Sequence, residues 1–260
     1  MQIAGVGRVI FWTGGSLWIG RAAAPSDFHA HHAIQVSLGL SGPVEFRSSP
    51  EGDFTPHRAV LIRTDLLHSF RAPGRMIAHI FCEPESPVGR HLSSRFDAPG
   101  IAPLAAGEVG TLPATLQSAF DTGASDEELE ELALDALFAL SGLQLARPTD
   151  PRVAEAIAVI RNRLADPLTL EDAASAVGLS PGRFRHLFVK ETGIAFRAYL
   201  LWARLNRALE LGFGGTPWTE AAYATNFADS AHLSRSCRRM YGISPSSIRT
   251  ETASTHRVPA

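Results

Sequence analysis

Two groups of side chains have types and spacings suited to chemistry. The first is His29-Ala-His31-His32, with Gln35 shortly after and His68 further on. Alternate residues of a strand share a face. His29 and His31 can therefore converge with His68 to hold zinc, nickel or iron, or to exchange hydrogen bonds with a small molecule. The same alternation also allows His31 or His32 simply to point outward. Gln35 stands where a carboxylate would strengthen a divalent-ion site, which leaves a neutral set. The second group is basic: Gly182, Arg183, Arg185 and His186, with Lys190 beyond, then Ser230, Ala231, Ser234 and Arg235, ahead of Arg238 and Arg239. An arginine can bond guanine O6 and N7 together, whereas serine reads weakly and glycine not at all. No nucleophile elbow or phosphate-binding glycine loop accompanies either group, so catalysis is not expected. A metal-dependent oxygenase or isomerase would rest on the histidines alone.

The elements that must position these groups change character along the chain. From about residue 8 to residue 82, short β-rich runs are broken by Gly, Pro, Ser and Asp: Leu17 to Gly20, Ile34 to Leu40, Val44 to Arg47, Ala59 to Ile62 and Met76 to Cys82. This spacing predicts an antiparallel β-barrel or sandwich. Pro84, Pro87, Pro99 and Pro103 make residues 83–106 a connector with little regular structure. Over 127–143, Leu129, Leu132, Ala133, Ala136, Leu137 and Leu140 fall at helical spacing, widened by Leu134, Phe138 and Leu143. So apolar a helix must pack on the barrel or on the same helix of a second copy.

Arg147-Pro148-Thr149-Asp150-Pro151 marks a boundary. Beyond it, Asp150 and Pro151 start a helix carrying Val153, Ile157, Ile160 and Leu164, and Thr169 caps a second with Leu170, Ala173, Ala174 and Val177 inward. Gly178 ends that helix, and Ser180-Pro181 starts a third with Phe184, Leu187 and Phe188 on one face and the basic residues elsewhere. Helix, glycine turn and basic helix make a helix-turn-helix unit. After a long helix from about Phe196 to Leu211, the pattern returns as Trp218 to Phe227 and a helix capped by Asp229 or Ser230. The connecting helix, about 25 Å long at 1.5 Å per residue, can set two recognition helices in successive major-groove segments. Charge follows the same division. The net charge is −7 up to residue 150 and +5 beyond it, as an acidic control domain joined to a DNA-binding domain would show.

Leu168-Thr-Leu-Glu-Asp-Ala-Ala-Ser-Ala-Val-Gly-Leu-Ser-Pro-Gly-Arg-Phe-Arg-His-Leu-Phe, Asn226-Phe-Ala-Asp-Ser-Ala-His-Leu-Ser-Arg and Gly242-Ile-Ser-Pro-Ser-Ser-Ile-Arg249 resemble the two units of the AraC/XylS family of bacterial regulators. The resemblance places base-reading positions at Gly182, Arg185 and His186, and at Ser230, Ala231, Ser234 and Arg235. Arg183, Lys190, Arg238 and Arg239 are left for phosphates. Asn226 replaces a usual glycine, and Leu233 and Cys237 replace usual phenylalanines, which shrinks the second unit's core. The histidine pattern resembles the cupin metal motif, although Arg63, Asp65 and Ala72 depart from its second half.

The fold expected is thus α+β and multidomain. A cupin-like effector-sensing barrel and connector occupy 1–106, a helical linker and candidate dimerisation segment 107–147, an all-α domain with two helix-turn-helix units 150–250, and a flexible tail 251–260. The resemblance implies a sequence-specific transcriptional regulator rather than an enzyme. A small effector would bind at His29, His31, Gln35 and His68, with a divalent metal at His29, His31 and His68 as the alternative. The implied partners are double-stranded promoter DNA, RNA polymerase and a second copy pairing through the 127–143 helix. Cys82 and Cys237 are too far apart for metal-type spacing, and no run of about 18 apolar residues occurs. A soluble, cytoplasmic protein is expected.

Overall fold

The computed structural model describes residues 3–95, 100–142 and 148–251. The first half contains β1 (Gly5–Trp12), β2 (Gly15–Ala22), β3 (Ile34–Gly39), β4 (Val44–Arg47), β5 (Thr55–His57), β6 (Ala59–Ile62), β7 (Ser69–Arg71) and β8 (Met76–Cys82). Then come α1 (Pro87–Arg95), β9 (Ile101–Pro103), α2 (Ala106–Val109), α3 (Leu112–Asp121) and α4 (Asp126–Ser141). The second half contains α5 (Pro151–Asn162), α6 (Leu170–Ala176), α7 (Pro181–Thr192), α8 (Phe196–Phe213), α9 (Trp218–Ala224), α10 (Ser230–Tyr241) and a last short strand, β10 (Ile248–Thr250).

The strands form two sheets instead of a closed barrel. One has seven strands in the order β10-β1-β2-β8-β3-β6-β9, and the other three, in the order β5-β4-β7. Alternation along the central strands explains their burial on both faces. Leu17 and Ile19 of β2, Val36 and Leu38 of β3, and Ala78 and Ile80 of β8 enter one apolar core with residues of α1, α3 and α4. The opposite face carries Trp18, Gln35, Ser37, His79 and Phe81, all buried. Part of it meets the small sheet through Val44, Phe46, Val60 and Ile62. One face is therefore an ordinary core, and the other is a buried surface holding polar side chains.

The connector 83–106 is more regular than its prolines suggest. Pro87 lies in the first turn of α1, where its missing N–H costs nothing, and Leu92 is fully buried. β9 pairs with β6 at the sheet edge, which has room for the proline of Ile101–Pro103. The helical domain likewise ends in a strand, contrary to the all-α expectation. β10 adds in parallel to β1, matching Gly5 with Ile248 and Gly7 with Thr250. Residues 252–260, most of the expected tail, lie outside the described residues, as does Leu143.

Helix α4 opens with a reciprocal cap between Ser125 and Glu128. Arg8 of β1 ties its first turn by bonding Asp126 and the Ala124 carbonyl. Its stripe of Leu129, Ala133, Ala136, Leu137 and Leu140 is spent on the sheet core. Leu134 and Phe138 remain outside, 38% and 55% exposed. Leu137→Ala should therefore cost about 2–5 kcal/mol, as deletion from a packed core does. Phe138→Ala should stay within about 0.5 kcal/mol. Denaturant unfolding checks the pair, and comparable losses at both positions would contradict the packing described.

Candidate nucleic-acid interface and buried histidine cluster

Helix α7 is positioned by local chemistry at both ends. Thr169 and Asp172 cap α6 reciprocally, at 3.1 and 2.9 Å. The turn after α6 passes through Gly178 at φ +66°. α7 begins with Ser180 accepting from the Arg183 amide and Pro181 in the first turn. Phe184 and Phe188 are fully buried against α5, α6 and Phe196. The opposite face, with Gly182, Arg183, Arg185 and His186, is exposed. Arg152, Arg183, His186 and Lys190 line a groove of about 460 Å³ beside it. Cations on a solvated helix face above a closed apolar core can meet a polyanion without a desolvated, unpaired charge.

The second unit repeats this arrangement with one difference. Asn226 takes φ +60°, so asparagine does serve the left-handed turn where glycine is usual. Asp229 caps α10 by accepting from the His232 amide at 2.6 Å. Ala231 and Arg235 are exposed, Ser230 and Ser234 are half-buried, and Arg238 and Arg239 are exposed. Leu233, Cys237 and Tyr241 point inward, but their core is shared with Trp18, Ala33 and Phe81 of the sheet domain. Tyr241 stacks on Trp18 with centroids 4.7 Å apart and planes 22° from parallel, and its hydroxyl donates to Asn206 at 2.7 Å. The first unit instead closes on itself.

The histidines lie beneath that shared core. His29, His31, His68 and Gln35 are each at most 3% exposed. One ring nitrogen from each of His29, His31 and His68 lies within 4.8 Å of the others. Their Nδ1 atoms meet the carbonyls of Asp27, Ala33 and Leu66 at 2.9, 2.8 and 2.9 Å. The Gln35 carboxamide oxygen lies 2.8 Å from His31 Nε2, and its nitrogen donates to Ser37 Oγ at 2.7 Å. His79, which sequence reasoning missed, joins this network through Ser37 at 2.9 Å. Its signal was available: one polar residue in the centre of the apolar run Met76 to Cys82. Burial and the neighbouring imidazoles push His29 down to about 3, His68 to about 2 and His79 to about 3, so the rings are neutral. His32, on the loop before β3, turns the other way, onto Glu85 at 2.9 Å.

A polar seam joins the two halves. Glu83 bonds Arg161, and Thr149 donates to the Glu85 carbonyl at 2.8 Å. Arg90 donates to Thr149 and to the buried carboxylate of Glu191, at 2.8 and 2.9 Å. Burial and the nearby Glu85 push the Glu83 carboxyl upward despite its arginine partner. Beside this seam a cleft of about 610 Å³ is lined by Phe11, Trp12, Glu83, Arg161, Trp202 and Arg207, among others. None of His29, His31, Gln35 and His68 lines it, nor the smaller cavity of about 70 Å³ beneath β1 and β2. Sequence reasoning missed the cleft because its walls come from elements far apart in the chain.

A sequence profile of the helix-turn-helix domain family matches residues 173–251. The regulatory protein PocR of Salmonella typhimurium is 33% identical over 115 residues, covering 44% of this chain and 38% of PocR. The arabinose operon regulatory protein of Escherichia coli is 33% identical over 123 residues, covering 46% of this chain and 42% of that protein. The chain thus matches about two fifths of the length of these curated relatives. The crystal structure of wild-type ToxT from Vibrio cholerae, bound to an unsaturated fatty acid, superposes over 92% of this chain and 94% of its own, with a TM-score of 0.56 and 11% identity. At that identity the likeness is one of fold: a sheet domain followed by a helical domain.

Two glycines separate the docked unit from the self-contained one. Gly193 and Gly242 end α7 and α10 at φ +82° and +72°. An added Cβ would meet nothing within 4 Å at Gly193, but at Gly242 it would fall 2.5 Å from His29 Nδ1 and 2.6 Å from the Asp27 carbonyl. Gly193→Ala should cost only the left-handed penalty, about 1–2 kcal/mol. Gly242→Ala should cost more and should speed amide hydrogen exchange in β10 and its partner Gly5–Gly7, which Gly193→Ala leaves unchanged. Equal exchange in the two variants would mean that the α10 terminus is not seated on the sheet domain.

Proposed function

We propose that residues 173–251, which match the helix-turn-helix domain family, form an AraC-type DNA-binding domain, and that the chain is a sequence-specific DNA-binding transcriptional regulator controlled by a small effector. The observation that carries this reading is the pair of capped helices, α7 and α10, each presenting exposed arginines over a buried core. Helix α8 joins the units, 18 residues or about 27 Å at 1.5 Å per residue. That length suits two boxes on one face of double-stranded promoter DNA. In this reading Arg185 and Arg235 contact base edges, with Gly182, His186, Ser230, Ala231 and Ser234 beside them. Arg183, Lys190, Arg238 and Arg239 neutralise phosphates. The matched relatives are named as regulators, and the function read here is not enzymatic.

The sheet domain is read as a cupin-like sensor opened into two sheets, in a cytoplasmic protein. The cleft between the halves suits a small-molecule effector better than the histidines do, because it offers about 610 Å³ and its lining includes none of them. It combines aromatic walls with Arg161 and Arg207, which pair with Glu83 and Glu210 of the same lining. Such a lining, apolar walls with paired charges, fits an amphipathic ligand, the broad class to which ToxT's unsaturated fatty acid belongs. Ligand at this seam would bias how the helical domain is held and so how RNA polymerase is recruited. Should two copies pair, Leu134 and Phe138 give α4 its apolar foothold.

Selection of a binding site from random duplexes, followed by titration of variants, tests the reading. Arg185→Ala and Arg235→Ala should each weaken specific binding by about 1–3 kcal/mol and relax selectivity at one base pair. Lys190→Ala should weaken binding to all sequences alike and lower the salt slope by about 1. Unchanged affinity and selectivity in both arginine variants would rule out base reading by these helices.

A further inference from the structure

The geometry of the histidine cluster points to an ion more than to a molecule. The rings of His29 and His68 have centroids 4.2 Å apart, and those of His31 and His68 5.3 Å. Each Nδ1 meets a backbone carbonyl. A carbonyl only accepts, so each Nδ1 carries the hydrogen and each Nε2 keeps its lone pair. Metal-binding histidines are oriented by this same second-nitrogen bond. His68 Nε2 is buried with no partner among the described residues. His31 Nε2 faces the Gln35 carboxamide oxygen at 2.8 Å, so two lone-pair atoms oppose each other. A cation between them, or a turned amide, relieves that contact. Three converging imidazoles favour the cation.

The backbone holds the ligands in place. His29 and His68 exchange both N–H···O=C bonds at 2.9 Å, forming an isolated antiparallel bridge. One ring nitrogen from each histidine lies within 4.8 Å of the others, and turning the rings inward brings them toward the separation of about 3.3 Å set by zinc–nitrogen bonds of 2.0–2.1 Å. Asp65, whose amide donates to the His31 carbonyl at 2.8 Å, supplies a negative charge nearby. The loop that carries His29 and His31 also seats the second helix-turn-helix unit. The Asp27 amide donates to the Gly242 carbonyl at 2.8 Å, and Gly242 packs on the His29 ring.

We propose that His29, His31 and His68 bind a divalent transition-metal ion through Nε2, with Gln35 Oε1 as fourth ligand, and that the ion stiffens the seat of α10. A neutral set of three imidazoles and one amide oxygen suits zinc, nickel, copper or ferrous iron over calcium or magnesium. The regulatory half of the proposal rests on the sensor reading above, whereas the metal site does not.

The test uses the full chain without a histidine tag, stripped by chelator and titrated with Co2+, then Zn2+. The expected result is one equivalent of four-coordinate Co2+, seen by its visible absorption and displaced by Zn2+. Slower hydrogen exchange in 26–32 and 248–250 should accompany Zn2+ binding. His29→Ala should lose the site and His91→Ala, on helix α1, should keep it. Should the core variant fail to fold, X-ray absorption of the zinc-loaded wild-type chain still counts the imidazoles, with three expected. No stoichiometric uptake, fewer than three imidazoles, or unchanged binding by a folded His29→Ala chain would overturn the site. Metal bound with no change in exchange would overturn the clamp. Metal bound by a chain that selects no DNA sequence would support the site while removing the regulator reading.

Discussion

The second helix-turn-helix unit shares its core with the sheet domain, and the arrangement of both domains follows from that constraint. Leu233, Cys237 and Tyr241 share one cluster with Trp18 and Phe81, in which Tyr241 stacks on Trp18 and Phe81 lies edge-on to both rings. Each such aromatic contributes roughly 1.5–3 kcal/mol when buried relative to exposed. Undocking would expose several together. The first unit has no such debt, because Phe184, Phe188, Phe196 and Tyr199 pack among themselves around α5. One helix-turn-helix unit thus has an apolar core of its own, and the other shares its core with the sheet domain.

The two attachments to the sheet domain accordingly differ in chemistry. The second unit is held by apolar contact and by β10, whose backbone extends the seven-stranded sheet. The first is held by ion pairs and hydrogen bonds, among them those of Arg90 to Glu191 and Thr149 and that of Arg161 to Glu83. Buried ion pairs add little net stability, since desolvation offsets their attraction, but they penalise wrong geometry strongly. The polar seam therefore fixes the angle at which the first unit sits, while the aromatic seam supplies most of the adhesion.

Local chemistry was legible in the sequence, and long-range assembly was not. Val44–Arg47, Ala59–Ile62 and Met76–Cys82 follow from alternation and turn residues, and α6, α7 and α10 from their caps. The exposed faces of α7 and α10 follow from helical spacing of Phe184 and Phe188, and of Leu233 and Cys237. Helix α1 was hidden by prolines that read equally well as breakers or as first-turn residues. β10 was hidden because a three-residue strand has no periodicity of its own, and only Gly5–Gly7 opposite makes it a strand. The histidines were found as a group, but His79 and the partner of His32 were not. Their roles depend on register, Ser37 opposite His79, and on a fold that brings Glu85 to a loop 53 residues away.

This division of labour bears on how a signal could travel. Helix α8 contributes Phe196, Tyr199, Leu200 and Ala203 to the first unit's core, and Trp202, Leu205, Ala208 and Leu209 to the shared one. A rigid helix belonging to both cores cannot shift in one without straining the other. Between them, Trp202 and Ala203 also line the interdomain cleft. Anything bound in the cleft touches the element whose position decides both recognition helices. Coupling needs differential affinity for two arrangements. Because α8 belongs to both cores, any arrangement that moves the first unit must also load the aromatic seat of the second.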